Sequence, residues 1–411
     1  MNRLRGGLGP AGAFVAVAVL YWFFVALDAH AMIGWWRDPH MVVLTATQDL
    51  PQKDFARFWD VGRVLVLRRL GEFGFAASPS PWMLATFHVD LLASTGNTYQ
   101  DWLYPPTMNL LGMLASLLPL PVSFFVWDLV SLGLAAGLLR RAGLDWGSIG
   151  LGLAGTASVQ NFVMGQNGVL TGGLLFSALL WCERRPLVGG GLAGVLCIKP
   201  QIALVLGGIF LQPRRWGSLA ACVAVGAGLV ALSVGVEGWQ AWSWFIHVGE
   251  PCSARVLQTP FKQNLLVAGA TVFFMARSFY AGLTVAYALQ GVCSVAAFAA
   301  IWALWRGPAE QVVERVALTL CLAVFVSPYG YFYDLVGYSV GMAAMFLRVP
   351  HGRKPVYALL WLAPGYMALL TAVTGHIFMP VAAAIGAVMV WREMALAPVA
   401  PETLPRVHSP A

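Results

Sequence analysis

An acidic residue within a mixed-charge helical pattern is the first candidate for chemistry. Between Gln48 and Leu67, apolar residues recur at helical spacing from Asp54 onward, with charged residues between them. The pattern predicts an amphipathic helix that lies in a membrane interface with its rings among the headgroups. Asp54 then either caps the helix or accepts a proton from a hydroxyl, and the helix alone leaves both open. The predicted apolar face consists of Phe55, Phe58, Trp59, Gly62, Leu65 and Val66.

A lysine within an apolar run is the second candidate. Lys199 needs an anion nearby, because an unpaired charge at membrane depth is costly. That anion is either a lipid phosphate or a buried carboxylate. Asp334, which closes a tyrosine-rich run starting at Ser327, is a suitable carboxylate. It either pairs with Lys199 or adds a second acid to a shared cavity.

Other polar residues fall at predicted span boundaries. Gln166 and Asn167 can hydrogen-bond sugar hydroxyls, or they can tie two helices together. Arg255 and Lys262, in a loop after the middle spans, suit a phosphate leaving group, on which charge builds as its bond breaks. Each is equally well an ordinary charge facing solvent or headgroups. The histidines show no zinc-ligand spacing, and no nucleotide-binding loop is visible, so no cofactor is predicted.

The elements that position these residues are membrane helices. Of the 411 residues, 59% are hydrophobic and only 10% are charged, and the mean hydropathy is +0.72. Soluble domains carry about 25% charged residues. Apolar stretches of about 20 residues recur along the chain, which predicts an all-α polytopic membrane protein of about 12 spans. The net charge of +7 lies in short loops, so it indicates orientation and not a nucleic-acid surface.

Basic residues predict which side each loop faces. Arg3 and Arg5 place the N-terminus in the cytoplasm, and we expect residues 11–31 to form an uncleaved first span and not a signal peptide. Residues 32–104 then form a long outer loop that carries interfacial helices, and the polar residues above gather on that outer face. The basic groups assigned to the cytoplasm are Arg140-Arg141, Arg184-Arg185, Arg214-Arg215, Arg306, Arg348, Arg353-Lys354 and Arg392.

Domain organisation follows from the same pattern. Residues 1–393 are predicted to form a single integral-membrane domain, and the proline-rich residues 394–411 a disordered cytoplasmic tail. Two segments do not fit simple crossings. Leu187 to Leu211 is short for two spans, so Lys199-Pro200 is expected to break a helix inside the membrane. Residues 105–139 are interrupted by prolines and are long for one crossing.

Several of these motifs together resemble glycosyltransferase family 87, over roughly residues 50–350. Their order along the chain makes the resemblance more specific than any single motif. The motifs are Asp54-Phe-Ala-Arg-Phe-Trp59, Trp102-Leu-Tyr-Pro-Pro106, Gly165-Gln-Asn-Gly168 with Arg184-Arg-Pro186, Lys199-Pro-Gln201, and Ser327-Pro-Tyr329 with Tyr333-Asp334.

The resemblance implies a GT-C-like helical bundle in the inner membrane. It implies inverting transfer of a mannose-like hexose from a polyprenyl-phosphate sugar to a hydroxyl of a lipid or glycan, outside the cytoplasm. The family's acid in the first outer loop acts as general base, and Asp54 matches it. No metal or further cofactor is expected. The resemblance and the polarity arguments above predict a substrate-binding set of Tyr104, Gln166, Asn167, Lys199, Gln201, Arg255, Lys262, Tyr333 and Asp334.

Two other functions fit parts of the sequence. Polar residues within spans and proline-broken helices suit a transporter or flippase that works by alternating access. The long outer loop and the lack of a visible inverted repeat argue against it. A catalytically inert homologue that scaffolds envelope assembly is a third hypothesis.

Overall fold

A computed structural model of the protein describes residues 53–69, 103–258, 268–307 and 310–396, and the single residues Val19 and Phe261. Across these ranges the chain is built from helices without strands, and one isolated β-bridge joins Gly269 to Tyr331. The helices of the first half are α1 Lys53–Arg69, α2 Pro106–Ala115, α3 Leu120–Arg141, α4 Trp146–Leu153, α5 Thr156–Met164, α6 Gly168–Arg184, α7 Pro186–Val195, α8 Pro200–Ala203 and α9 Gly207–Phe210.

The second half continues in the same way. Its α-helices are α10 Trp216–Glu237, α11 Trp239–Trp244, α12 Glu250–Gln258, α13 Val272–Ser278, α14 Leu283–Arg306, α15 Val312–Ala323, α16 Val336–Arg348, α17 Lys354–Thr374 and α18 Met379–Leu396. The last helix extends just past the predicted domain boundary at residue 393, and residues 397–411 lie outside the described chain.

Five helical stretches in the described ranges are long and apolar enough to cross a membrane. They confirm a multi-pass helical membrane protein, while the predicted total of about 12 spans stays a prediction. The predicted first span, residues 11–31, lies outside the described residues except for Val19. The five stretches are Val122–Arg141, Pro213–Glu237, Leu283–Arg306, His351–Thr374 and Met379–Leu396.

Both proline-interrupted segments break as the sequence indicates. Between α7 and α8 the chain turns at Lys199, whose φ of −148° and ψ of 72° are not helical. Pro200 follows, and it has no N–H with which to continue the ladder of the preceding helix. Similarly, α2 ends before Pro119, and the longer α3 begins directly after that proline. Lys199 therefore lies at a helix break, between the turn that ends at Ile198 and the start of α8.

The predicted setting of α1 among lipid headgroups is wrong for its aromatic face. Phe55 and Phe58 are fully buried in protein. The Phe55 ring lies 5.5 Å from that of Phe124, and the Phe58 ring stacks on Trp127 at 5.7 Å. Burial against aromatic side chains of α3 therefore takes the place of burial in lipid, and this contact fixes the helix that carries Asp54.

A glycine pair lets α1 approach α2 closely. A Cβ atom on Gly62 would lie 1.9 Å from the carbonyl oxygen of Gly112, far inside van der Waals contact. Small residues where two helices cross allow such backbone contact. The position of Asp54, two turns earlier on α1, therefore depends on Gly62 having no side chain.

We expect Gly62→Ala to lower stability and to displace Asp54. The added methyl forces α1 and α2 apart, and overpacking of this kind costs about 1–3 kcal/mol. Thermal unfolding in detergent measures the loss. Gly133→Ala in α3 is the matched control, because no atom lies within 4 Å of a Cβ built there. Equal melting temperatures for the two variants would contradict the close crossing.

Candidate active site

A tight turn between α5 and α6 forms the centre of the site. Gly165 adopts a left-handed conformation with φ of 63° and ends α5. A Cβ there would lie 2.3 Å from the Cβ of Phe55, so only glycine lets this turn pack against the first turn of α1. The next two residues, Gln166 and Asn167, are consequently buried beside the residue that precedes Phe55.

Asp54 accepts a hydrogen bond from this turn. Gln166 Nε2 donates to Asp54 Oδ2 at 2.6 Å, and Tyr104 Oη donates to Gln166 Oε1 at 2.9 Å. Desolvation, and then the nearby Asp334 and Asp54 charges, raise the pKa of Tyr104 well above its ordinary value. The Tyr104 hydroxyl therefore stays protonated, and it fixes the amide so that Nε2 faces the carboxylate.

Lys199 is held by the other half of the same turn. Its Nζ donates to Asn167 Oδ1 at 2.9 Å and to Asp334 Oδ1 at 2.6 Å. The lysine is 1% exposed and the aspartate 8%. Nζ also lies over the rings of Tyr104 and Tyr333, at 5.7 and 5.1 Å from their centroids. The ion pair with Asp334 is thus formed, and both partners are buried.

A backbone hydrogen bond also holds Asp334, in addition to its ion pair with Lys199. Its second oxygen, Oδ2, accepts a hydrogen bond from the backbone N–H of Tyr331 at 3.2 Å. Asp334 belongs to the 3-10 helix Phe332–Leu335, where this contact acts as a cap. Both carboxylate oxygens therefore have donors, which is the arrangement in which a buried charge is tolerated.

A narrow cavity of about 70 Å³ adjoins Asp334 on the side of α15. Apolar side chains of α6, α15 and the α8 region line most of it, and its polar wall includes Gln201, Ser327 and Tyr331. Gln201 thus lines this cavity, and among the described residues no hydrogen bond links it to the Lys199 cluster.

The structure brings together most of the predicted substrate-binding residues. Tyr104, Gln166, Asn167, Lys199, Tyr333 and Asp334 lie in one cluster with Asp54. For two others the structure gives no test. The Arg255 side chain and the whole of Lys262 lie outside the described residues.

Two polar contacts near the site were missed by the sequence analysis. Trp127 Nε1 donates to the backbone oxygen of Gln166 at 3.2 Å and so fixes the turn from the α3 side. On α2, the buried Asn109 donates through Nδ2 to Glu237 Oε2 at 2.6 Å, which links α2 to the end of α10. Only the unusual placement of Asn109 and Glu237 at the ends of apolar runs signalled the second contact. Trp127 gave no signal.

The described residues contain no group of three His, Cys, Asp or Glu side chains that could hold a metal ion. The cluster brings together two hydrogen-bonded carboxylates, one buried ammonium and several hydroxyl and amide groups. Such a set can take up a proton and can bind an anion.

Fold and site together define a multi-pass helical membrane protein with a polar site built at helix breaks. The family model for glycosyltransferase family 87 matches residues 102–328. The chain belongs to this family and is a glycosyltransferase. No curated protein and no solved structure matches the chain. The matched segment includes Gln166, Asn167 and Lys199, whereas Asp54 and Asp334 lie outside it.

Proposed function

We propose that the protein transfers a hexose, of the mannose type, from a polyprenyl-phosphate sugar to a hydroxyl of a lipid or glycan acceptor. The transfer inverts the anomeric configuration, with Asp54 as general base. The site faces the outer side of the inner membrane, the side to which the basic loops assign it. No cofactor besides the donor takes part.

One observation carries the proposal. Two consecutive residues of a single turn hold the acid and the cation that such a transfer needs. Gln166 binds Asp54 at 2.6 Å, and Asn167 binds Lys199 at 2.9 Å. Tyr104 borders both halves of the turn, because its hydroxyl donates to Gln166 and its ring centroid lies 5.7 Å from Lys199 Nζ. This arrangement supports one substrate that meets both the proton acceptor and the cation.

The reaction needs one proton transfer and one displacement. The acceptor oxygen attacks the anomeric carbon while its proton passes to the carboxylate of Asp54. The bond from the anomeric carbon to the phosphate oxygen breaks, and its electron pair leaves with the polyprenyl phosphate. The donor supplies its own activated bond, so no nucleotide is consumed. Gln166 acts as a positioning residue, since its amide holds the carboxylate of Asp54 in one orientation.

Lys199 suits the departing phosphate. An ammonium has three N–H donors, and within the described chain two of them are used by Asn167 and Asp334. The third is available to a phosphate oxygen, whose growing negative charge a preorganised cation stabilises. Because Lys199 is 1% exposed, the side chains that cover it must move before a phosphate reaches it.

The direct test is incubation of the purified protein with polyprenyl-phosphate mannose, glucose or arabinose and a membrane lipid extract. We expect mass spectrometry to show a lipid or glycan product one hexose heavier, with the mannose donor preferred. Movement of the donor across proteoliposomes with no covalent product would instead support a flippase. Product formed only from nucleotide sugars would refute the proposed donor.

A further inference from the structure

We propose that the end of the bundle opposite the candidate site holds a binding site for the phosphate headgroup of an anionic phospholipid. A cavity there is lined by Arg141, Arg184 and Arg185, with Trp181 and Val188 between them. The three arginines come from the ends of α3 and α6 and the start of α7. Since α6 has 17 residues, the cavity lies about 25 Å from the Gln166 turn along its axis, so it is separate from the transferase site.

Charge pairing distinguishes these arginines from others at the same end. Arg215 and Arg315 both pair with Glu183, and Arg353 pairs with Glu393. Within the described ranges, the arginines that line the cavity have no carboxylate partner. The three exposed arginines that line this cavity place like charges side by side, and a bound anion would offset them. Guanidinium forks match phosphate oxygens in pairs, which favours a phosphate over a halide.

Backbone geometry shapes the cavity. Gly143, with φ of 100°, turns the chain after α3, and a Cβ there would lie 3.1 Å from Arg184 Nη1. The guanidinium of Arg184 therefore packs on the bare face of this glycine. Val188 belongs to the first turn of α7, so the positive end of that helix dipole lies against the same cavity.

The surroundings favour a lipid over a free phosphate ion. Leu187 is 67% exposed next to the cavity, and Val188 is 41% exposed in its wall. Trp146 is 61% exposed at the same end, where its ring contacts Arg140. Apolar side chains beside an arginine cluster at a membrane boundary suit a headgroup whose acyl chains continue along the helices.

The test is binding of phosphatidylglycerol to the purified full-length protein, followed by native mass spectrometry, with phosphatidylcholine as the reference lipid. Each arginine near a charged bilayer contributes about 1 kcal/mol, or about fivefold in affinity. We therefore expect Arg184→Gln/Arg185→Gln to weaken phosphatidylglycerol binding about 25-fold and to leave phosphatidylcholine binding unchanged. The matched control is Arg306→Gln/Arg392→Gln, which removes the same charge from exposed positions outside the cavity.

Three results would overturn the proposal. Equal weakening by the two double variants would mean that general surface charge attracts the lipid. Binding of phosphatidylglycerol and phosphatidylcholine with the same affinity would exclude headgroup recognition. Millimolar inorganic phosphate that competes fully with phosphatidylglycerol would assign the cavity to a free anion. Arg184→Lys/Arg185→Lys should bind phosphatidylglycerol more weakly than the native protein and more tightly than the glutamine variant. Lysine keeps the positive charge but lacks the planar guanidinium that can donate two parallel hydrogen bonds to a phosphate.

Discussion

Asp54→Asn should abolish sugar transfer while the protein still folds and inserts. A positioned general base contributes about 10²- to 10⁴-fold to a rate, and asparagine has no basic oxygen that can take the acceptor proton. Its amide is nearly isosteric and still offers an oxygen to Gln166, which donates to Asp54 Oδ2 in the native protein. The loss should therefore appear in kcat, with little change in the KM for the donor.

Asp145→Asn provides the matched control for this experiment. Asp145 caps α4 at the opposite end of the bundle, where it accepts a hydrogen bond from the backbone of Ser148. Asparagine and aspartate are about equally good at this position, so the variant should keep both its stability and its activity. If Asp54→Asn retains activity within a few-fold of this control, Asp54 is not the base, and its role is to hold the turn at Gln166.

The sequence predicted much of the candidate site because polar residues stand out against an apolar background. Lys199 and Asp334 were each recognisable as costly at membrane depth, and the structure pairs them at 2.6 Å. Likewise, Pro200 signalled the helix break that places Lys199. A charge in an apolar run needs a partner, so the number of possible pairings was small.

The packing between helices could not be predicted from the sequence. The aromatic periodicity of α1 looks the same whether its rings face lipid or protein, because both are apolar. Whether the rings face lipid or protein depends on which surface packs against them. Here that surface is formed by Phe124 and Trp127 of α3, which are distant in sequence from α1. The Gly62–Gly112 contact could not be predicted either, because a glycine in an apolar run can occur for many different structural reasons. Positions of helices, and hence the distance from Asp54 to Gln166, came from the fold.

The buried Lys199–Asp334 pair has two possible roles, and paired variants separate them. Removal of one partner leaves the other charge buried and uncompensated, which costs about 3–5 kcal/mol. We therefore expect Lys199→Met and Asp334→Asn to be strongly destabilised in thermal or denaturant unfolding. The double variant Lys199→Met/Asp334→Asn should recover most of that loss, because no isolated charge is left and asparagine can still accept the bond from the Tyr331 N–H.

Activity of the stable double variant is the decisive measurement. If Lys199 binds the departing phosphate, the double variant should fold well and still transfer sugar at least about 100-fold more slowly, the scale of losing one preorganised charge-stabilising donor. Donors with a better leaving group, such as a more acidic phosphate ester, should be less affected, since less charge needs stabilisation. A double variant with both native stability and native rate would assign the pair to folding alone. In that case the phosphate-binding cation must be sought elsewhere in the chain.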